Sequence, residues 1–407
     1  MGFFTKLFSK KSIPLENEAL ISRLGGGYTS RTGISVTTTT AMRLAACYAC
    51  VRNLAEDLAK NPIHLYQRVE MGKRRASTHP LYKIVNSSPN HWQTSYEFVE
   101  MLTAHALLRG NGFARISRGL GGKVLELIPL MPSSVTIEQD DDLSIKYIYT
   151  NAKGRQITLE QDDVLHVRGL TLDGVIGITP IQYAKETFAL ASAAEQHGSA
   201  MFGGRVTGPG VFETAGRLSD KAYERLRKSF KEEGGLENAA SPIILEEGLS
   251  WKSLGIKLSD LQFIETRKFQ VEEIARLYRM PLHKIGHLER ATNNNIEHQS
   301  REYVTDTLLP WARRWEQALL RDCLSEKDRE TFFPAFNFNN LLRGDTQSRA
   351  ALYQTLFNTG SMSPNDIRRL EDDEGYEGGN TYFIQQGFMP VHLAEEVVRA
   401  QHGGTKT

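Results

Sequence analysis

The chain has 407 residues, 40% hydrophobic and 24% charged, which is too long for one ordinary core and suits two or three packed lobes. Its 49 Lys+Arg against 48 Asp+Glu leave a net charge of +1, which excludes a grip on nucleic acid by bulk positive charge and leaves only locally placed cations. Three cysteines exclude a disulfide framework and fit a reducing cytoplasm, and no run of about 18 apolar residues offers a membrane span.

Residues 1–33 read as a flexible N-terminal arm that ends in Gly25-Gly26-Gly27. Lys6 stands where a myristoylation signal needs Ser or Thr, so Phe3, Phe4, Leu7 and Phe8 suit an arm that docks on a neighbour or frays. Leu44, Tyr48, Val51, Leu54 and Leu58 recur at three and four, which predicts a helix from about Ala41 to Lys60, stopped by Asn61-Pro62. A strand through Ile63, Leu65 and Gln67 follows. Thr94 with Glu97 forms a capping box before a helix to about Leu108. Short strands are expected at 113–118, 123–130, 145–150 and 164–168.

Thr179-Pro180 opens a long Ala-rich helix that Gly203-Gly204 ends near Phe202. Residues 205–258 read as an insertion, and a second long helix runs from the Ser259/Gln262 box to Met280-Pro281. Its apolar stripe is Leu261, Ile264, Val271, Ile274 and Tyr278. Two long helices bracketing a small α+β insertion describe a rod with a knob. A polar stretch, Arg290 to Asn295, leads to a third helix over about 296–323 with Val304, Leu308, Trp311, Trp315, Leu319 and Cys323 on one side. Pro310 inside it should produce a kink. A strand at 332–339 and two helices opened by Asp345 and by Ser363-Pro364 complete an α+β, multidomain reading.

Catalytic motifs are missing. Cys47 and Cys50 form a C-x-x-C, but mid-helix and within an apolar stripe, where small buried hydrophobes are the better account than a redox pair. His283 and His287 have zinc-helix spacing, but Pro281 and Gly286 break the helix and no H-E-x-x-H is present. Asp140-Asp141-Asp142 reads as a solvated loop, and Gly121-Gly122-Lys123 lacks the rest of a phosphate loop. No metal and no cofactor are implied, and the chain does not read as an enzyme.

Several stretches resemble the portal proteins of long-tailed bacteriophages, the Hong Kong ninety-seven type of head–tail connector. They are Ala45 to Arg52, His79-Pro80-Leu81 with Pro89-Asn90, and Arg109 to Arg115. Asp163 to Arg168 follows, with Asp173-Gly174 and Gly177, then Ile244 to Gly248 and Phe263 to Pro281. Arg290-Ala291-Thr292, Asn294 to Glu297, Leu341 to Asp345 and Ser363 to Asp366 complete an ordered series over residues 40–380. The resemblance implies a ring-forming portal fold: wing at 34–179, stem helices at 180–202 and 259–281, and a small α+β clip at 203–258. Tunnel loop, kinked tunnel helix and return to the wing fall at 282–343, a helical crown at 344–380 and a tail at 381–407.

It further implies a homo-oligomer of about a dozen copies at one capsid vertex of a virion assembled in the bacterial cytoplasm. The expected partners are the terminase large subunit, the major capsid protein or scaffold, head–tail adaptor proteins, and double-stranded DNA passing transiently through the channel. No membrane is involved. Arg290, Asn293, Asn294 and Asn295 are the residues expected to face DNA. If each of a dozen subunits fixed one phosphate, the salt slope of binding would approach roughly −11, too tight a hold for sliding. Neutral amides with one arginine suit a conduit better. Rival readings are a metal-dependent phage nuclease built on Asp140–Asp142 or on His283 and His287, and a portal-fold protein of a gene-transfer agent or prophage.

Overall fold

A computed structural model describes residues 12–13, 28–70, 72–202, 210–213, 219–221, 223–225, 250–253, 260–286, 299, 301–338, 346–371 and 374–383. The chain divides into two compact units, residues 1–336 and 337–407.

In the first unit, β1 (Ser12–Ile13), β2 (Tyr28–Thr29) and β3 (Ser35–Val36) precede the short helix α1 (Thr38–Arg43), which is capped by Thr37 and Thr40. The single helix expected over 41–60 is two. Leu44 turns extended (ψ 120°) with its side chain buried, and α2 (Ala45–Ala59) starts beyond it. A β-branched Thr38-Thr39-Thr40 run is a poor helix former, and the capping box holds it in a turn of its own. Cys47, Cys50, Val51, Leu54 and Leu58 form the buried stripe of α2.

Strands β4 (Ile63–Val69) and β5 (Gly72–Arg75) form a hairpin, followed by α3 (Pro80–Asn86) and by α4 (Ser95–Arg109), which packs on α2. The Thr94/Glu97 box caps α4 as expected. Gly110 closes it at φ +76°, where an added Cβ would lie 2.3 Å from the Ile178 carbonyl oxygen, so the site takes only glycine.

Strands β6 (Asn111–Arg118), β7 (Val124–Leu130), β8 (Val135–Gln139), β9 (Ile145–Thr150), β10 (Gln156–Glu160) and β11 (Val164–Arg168) make two antiparallel sheets. Their orders are β11-β6-β7 and β1-β8-β9-β10. Phe113, Leu130, Val135, Ile137, Tyr147 and Leu159 from both sheets share one core.

The first expected long helix is α5 (Pro180–Tyr183) and α6 (Lys185–Phe202), separated at Ala184 (φ −102°, ψ 23°). In the 203–258 segment, β12 (Gly210–Glu213) pairs antiparallel with β13 (Ser250–Ser253). Helix α7 (Asp260–Leu277) returns to pack along α6; within its expected stripe Ile274 and Tyr278 are buried, but Ile264 is exposed. The helix in which Pro310 was expected to produce a kink is a π-helical segment, Tyr303–Leu308, continued without a break by α8 (Leu309–Cys323), with αR backbone at the junction. Proline has no N–H for the carbonyl four residues back, and the wider π turn accommodates that missing bond. Helix α9 (Glu326–Thr331) and β14 (Phe332–Phe336) close the unit, the strand adding to a sheet ordered β14-β4-β5.

The second unit carries α10 (Thr346–Asn358) and α11 (Pro364–Leu370), the latter capped by Ser363 and Asp366. Buried Asn365 donates to the Tyr376 carbonyl and accepts from the Tyr376 N–H, which folds the chain around Gly375 and Gly379.

A polar knot lies inside the two-sheet core. Asn111 Nδ2 donates to the carbonyls of Arg109 and Gly177, so its Oδ1 is the acceptor for Gly177 N–H (2.8 Å) and for His166 Nε2 (2.9 Å). His166 is therefore the neutral Nε2–H tautomer, and its Nδ1 accepts from the Tyr147 hydroxyl at 3.1 Å. Burial, with Arg168 and Arg321 adding, holds His166 well below the ordinary histidine range. Burial also pushes His64 and His105 down to about 4.

These histidines stay neutral in the fold while their unfolded counterparts gain protons below about pH 6.5, so stability must fall as pH drops from 6.5 toward 4. Asp322, raised by burial, acts in the opposite sense but is outnumbered. Urea midpoints measured at pH 7.5, 6 and 5 should decline in that order; a flat or rising series contradicts the neutral-histidine account.

Candidate DNA-channel loop and its anchorage

Arg290, Asn293, Asn294 and Asn295 lie outside the described residues, as does His287. The segments that border them are described on both sides, and both seat on α2.

On the descending side, the buried Tyr278 follows α7 directly, and Arg279 takes the left-handed conformation (φ +50°). A non-glycine residue rarely sits there without a surrounding structure that holds it. The hold is visible: Thr307 Oγ1 donates to the Arg279 carbonyl at 2.8 Å, and Arg279 Nη1 reaches the Asp306 carbonyl at 3.4 Å. The Asp306 carbonyl is the one left without an i+4 donor by Pro310. A 3₁₀ turn, Leu282–Ile285, then closes on Gly286 (φ +81°). His283 Nδ1 lies 2.9 Å from Gln299 Oε1, which links the descending and ascending segments directly.

Helix α2 receives both. Cys47, Cys50, Asn53 and Asp57 recur at three and four, so they form one helical stripe. Cys47 Sγ lies 3.9 Å from the Tyr278 hydroxyl, and Asn53 Nδ2 donates to the Lys284 carbonyl at 2.9 Å. Lys284 Nζ is 3.5 Å from Asp57 Oδ2 and 5.1 Å above the Tyr303 ring, so one ammonium ties α2 to the 3₁₀ turn and to the π segment. Burial raises Cys47 to about 11 and Cys50 to about 12, and it pushes Cys323 up as well. Such thiols are packing groups, as the sequence reading has them, and not nucleophiles. The part Asn53 and Asp57 play was missed. Both sit on the same i, i+3 progression as the cysteines, and that spacing was the available signal.

Between α7 and the π segment lies a cleft of about 800 Å³, lined by Glu272, Arg276, Arg279, Glu302, Tyr303 and Asp306 among others. Its charges are mixed, which suits a hydrated surface and not a dedicated anion site.

The acidic loop offers no metal centre. Asp140 pairs with Lys146 at 2.7 Å, Asp142 Oδ1 accepts from the Ser144 N–H and hydroxyl, and the turn is exposed. Among the described residues, no group of three or more His, Cys, Asp or Glu side chains is placed to hold a metal ion. Nor is any described helix long and apolar enough to cross a membrane.

The family model described as phage portal protein matches residues 45–372. The chain belongs to the phage portal protein family. The portal protein of Enterobacteria phage HK97 is 27% identical to this portal chain over 86% of its length and 83% of the relative. A chain from the neck of an empty gene-transfer-agent particle, computed with C6 symmetry, superposes with a TM-score of 0.58 at 25% identity. That match covers 89% of this portal chain and 100% of the other. An HK97-family portal protein from Corynebacterium diphtheriae shares the fold, with a TM-score of 0.57 at 17% identity over 79% of this chain and 99% of its own. The α+β portal fold expected from the sequence is therefore the fold observed.

The packing role of the cysteines has a measurable consequence. Cys47→Ala with Cys50→Ala should lower stability by about 1–3 kcal/mol through lost burial while leaving assembly intact. Thermal denaturation alongside electron micrographs checks both; lost assembly with unchanged stability would give the thiols a different role.

Proposed function

We propose that this chain forms a ring at one capsid vertex through which double-stranded DNA enters and leaves the particle. The observation that carries the reading is the family match across residues 45–372, joined by likeness to the whole of a chain in a particle neck. C6 symmetry in that neck accords with rings of six or twelve, and twelve copies is the number proposed here. The family is structural, and this chain's part is to be passage and docking platform, with the terminase large subunit supplying nucleotide hydrolysis. Major capsid protein or scaffold and the head–tail adaptor proteins are its other proposed partners, in a virion assembled in the host cytoplasm.

Within that reading, 34–179 is the wing, 180–202 and 259–281 the stem, 203–258 the clip and 344–380 the crown. Support comes from α6 packing along α7 on either side of the β12–β13 pair. Residues 287–297, with Arg290 and Asn293–Asn295, form the tunnel loop. Both of its described borders are held on α2, by Tyr278, Lys284 and Tyr303.

Negative-stain microscopy of the purified protein should show rings with a central hole, and monomers alone at micromolar concentration would overturn the assembly. Arg290→Ala should spare ring formation yet change packaging rate or retention of packaged DNA, and Arg290→Glu should do so more strongly by repelling phosphate. Parent-like behaviour of both variants in a packaging assay would remove this loop from contact with DNA.

A further inference from the structure

One face of the β14-β4-β5 sheet concentrates positive charge in a chain that is otherwise balanced. Residues opposite one another in antiparallel strands point to the same side. Phe333, Tyr66 and Arg75 therefore form one cross-strand row, and Arg68 and Lys73 the next. The three cations are exposed, while the two rings are half-buried. Tyr66 and Phe333 stack with centroids 5.7 Å apart. The Arg68 guanidinium lies 4.9 Å from the Phe333 centroid, and the Lys73 ammonium 4.4 Å from that of Tyr66. On the other side of the edge strand, Arg74 donates to Gln67 Oε1 at 2.8 Å.

Arg68 also donates to the backbone carbonyls of Arg329 and Glu330. No carboxylate among the described residues pairs with Arg68, Lys73 or Arg75. Helix α3 covers only the far end of the face, where Tyr82 stacks on His64. The uncompensated field is felt there: Arg75 and Lys73 add to burial in pulling His64 down to about 4.

Lysines and arginines on an edge strand have an ordinary use, which is to block pairing with another sheet. That accounts for β5. It does not account for Arg68 on the central strand, nor for cationic heads laid across rings that fix them in place. Stems packed on aromatic faces lose little further freedom when the heads meet an anion.

We propose that this cation–aromatic face, built from parts of the chain other than the tunnel-loop residues, binds the phosphate backbone of double-stranded DNA. Cations about 5 Å apart across strands and about 7 Å apart along one meet a ligand whose charges recur at fixed short intervals. The rings are covered by their own cations, so they offer no free face for stacking unpaired bases and little apolar area for a protein partner. The ligand is recognised by its charge spacing, without sequence preference.

The test measures anisotropy of a short labelled duplex on the assembled protein across about 50 to 200 mM salt. Arg68→Gln with Lys73→Gln and Arg75→Gln should weaken binding at least tenfold and reduce the salt slope by about 2.7, or 0.9 for each contact removed. Arg290→Ala should leave that part of the slope in place. Parent-level affinity and slope in the triple variant overturn the proposal. So does poly-glutamate binding the face more tightly than the duplex at equal charge, which assigns the face to an acidic protein. If the triple variant unfolds early, Lys73→Gln and Arg75→Gln taken singly should each lower the slope by about 0.9. Rings of the triple variant in micrographs keep this result apart from the assembly reading.

Discussion

Burial of one stripe of α2 is the constraint on which the borders of residues 287–297 depend. Cys47 and Cys50 contribute small, neutral, buried groups that let Tyr278 and Tyr303 approach closely, and Asn53 and Asp57 continue the stripe with a donor and a charge. Lys284 has to satisfy three demands at once: its carbonyl takes the Asn53 amide, its ammonium faces Asp57, and the same ammonium covers Tyr303. A half-buried ammonium without such partners would carry a desolvation penalty of several kcal/mol. Pairing in this geometry removes most of that cost and fixes where the chain leaves and returns.

The irregular backbone of the region follows from the same arrangement. Pro310 deprives the Asp306 carbonyl of its helical donor, a π turn forms ahead of it, and Arg279 supplies a replacement hydrogen bond from a left-handed position. Thr307 then holds the Arg279 carbonyl. Each irregularity satisfies a polar group exposed by another, which is why they occur together.

Much of this was legible in the sequence, and unevenly so. The Thr94/Glu97 and Ser363/Asp366 boxes placed two helix starts to the residue, because capping is a local interaction between neighbours in the chain. Strands β8 and β10 were missed. Each has five residues with only two aliphatic side chains, and their strand state comes from pairing with β9 and not from their own pattern. The breaks at Leu44 and Ala184 were missed for a related reason, since hydrophobic periodicity continues across a corner that tertiary packing imposes. Of the functional residues, the cysteine stripe was read correctly as packing, but what it packs against is separated by more than 200 residues and has no trace in local spacing. The Asn293–Asn295 run was legible only as composition.

The charge balance of the chain can be understood from where its cations stand. A surface that must let a polyanion slide has to avoid many simultaneous phosphate contacts, because each one adds to the free energy of a full stop. A surface that holds a polyanion needs the reverse: several cations, fixed beforehand and free of competing carboxylates. Near residues 272–310 three described cations sit among acids: Arg276 with Glu273, Lys284 with Asp57, and Arg279 beside Asp306 in the cleft. On the β14-β4-β5 face, Arg68 and Lys73 lie over aromatic rings, Arg75 stands across from Tyr66, and none of the three pairs with an acid among the described residues. A net charge near zero is thus compatible with two opposite behaviours toward DNA, because affinity is set by the local pairing of each cation and not by the sum over the chain.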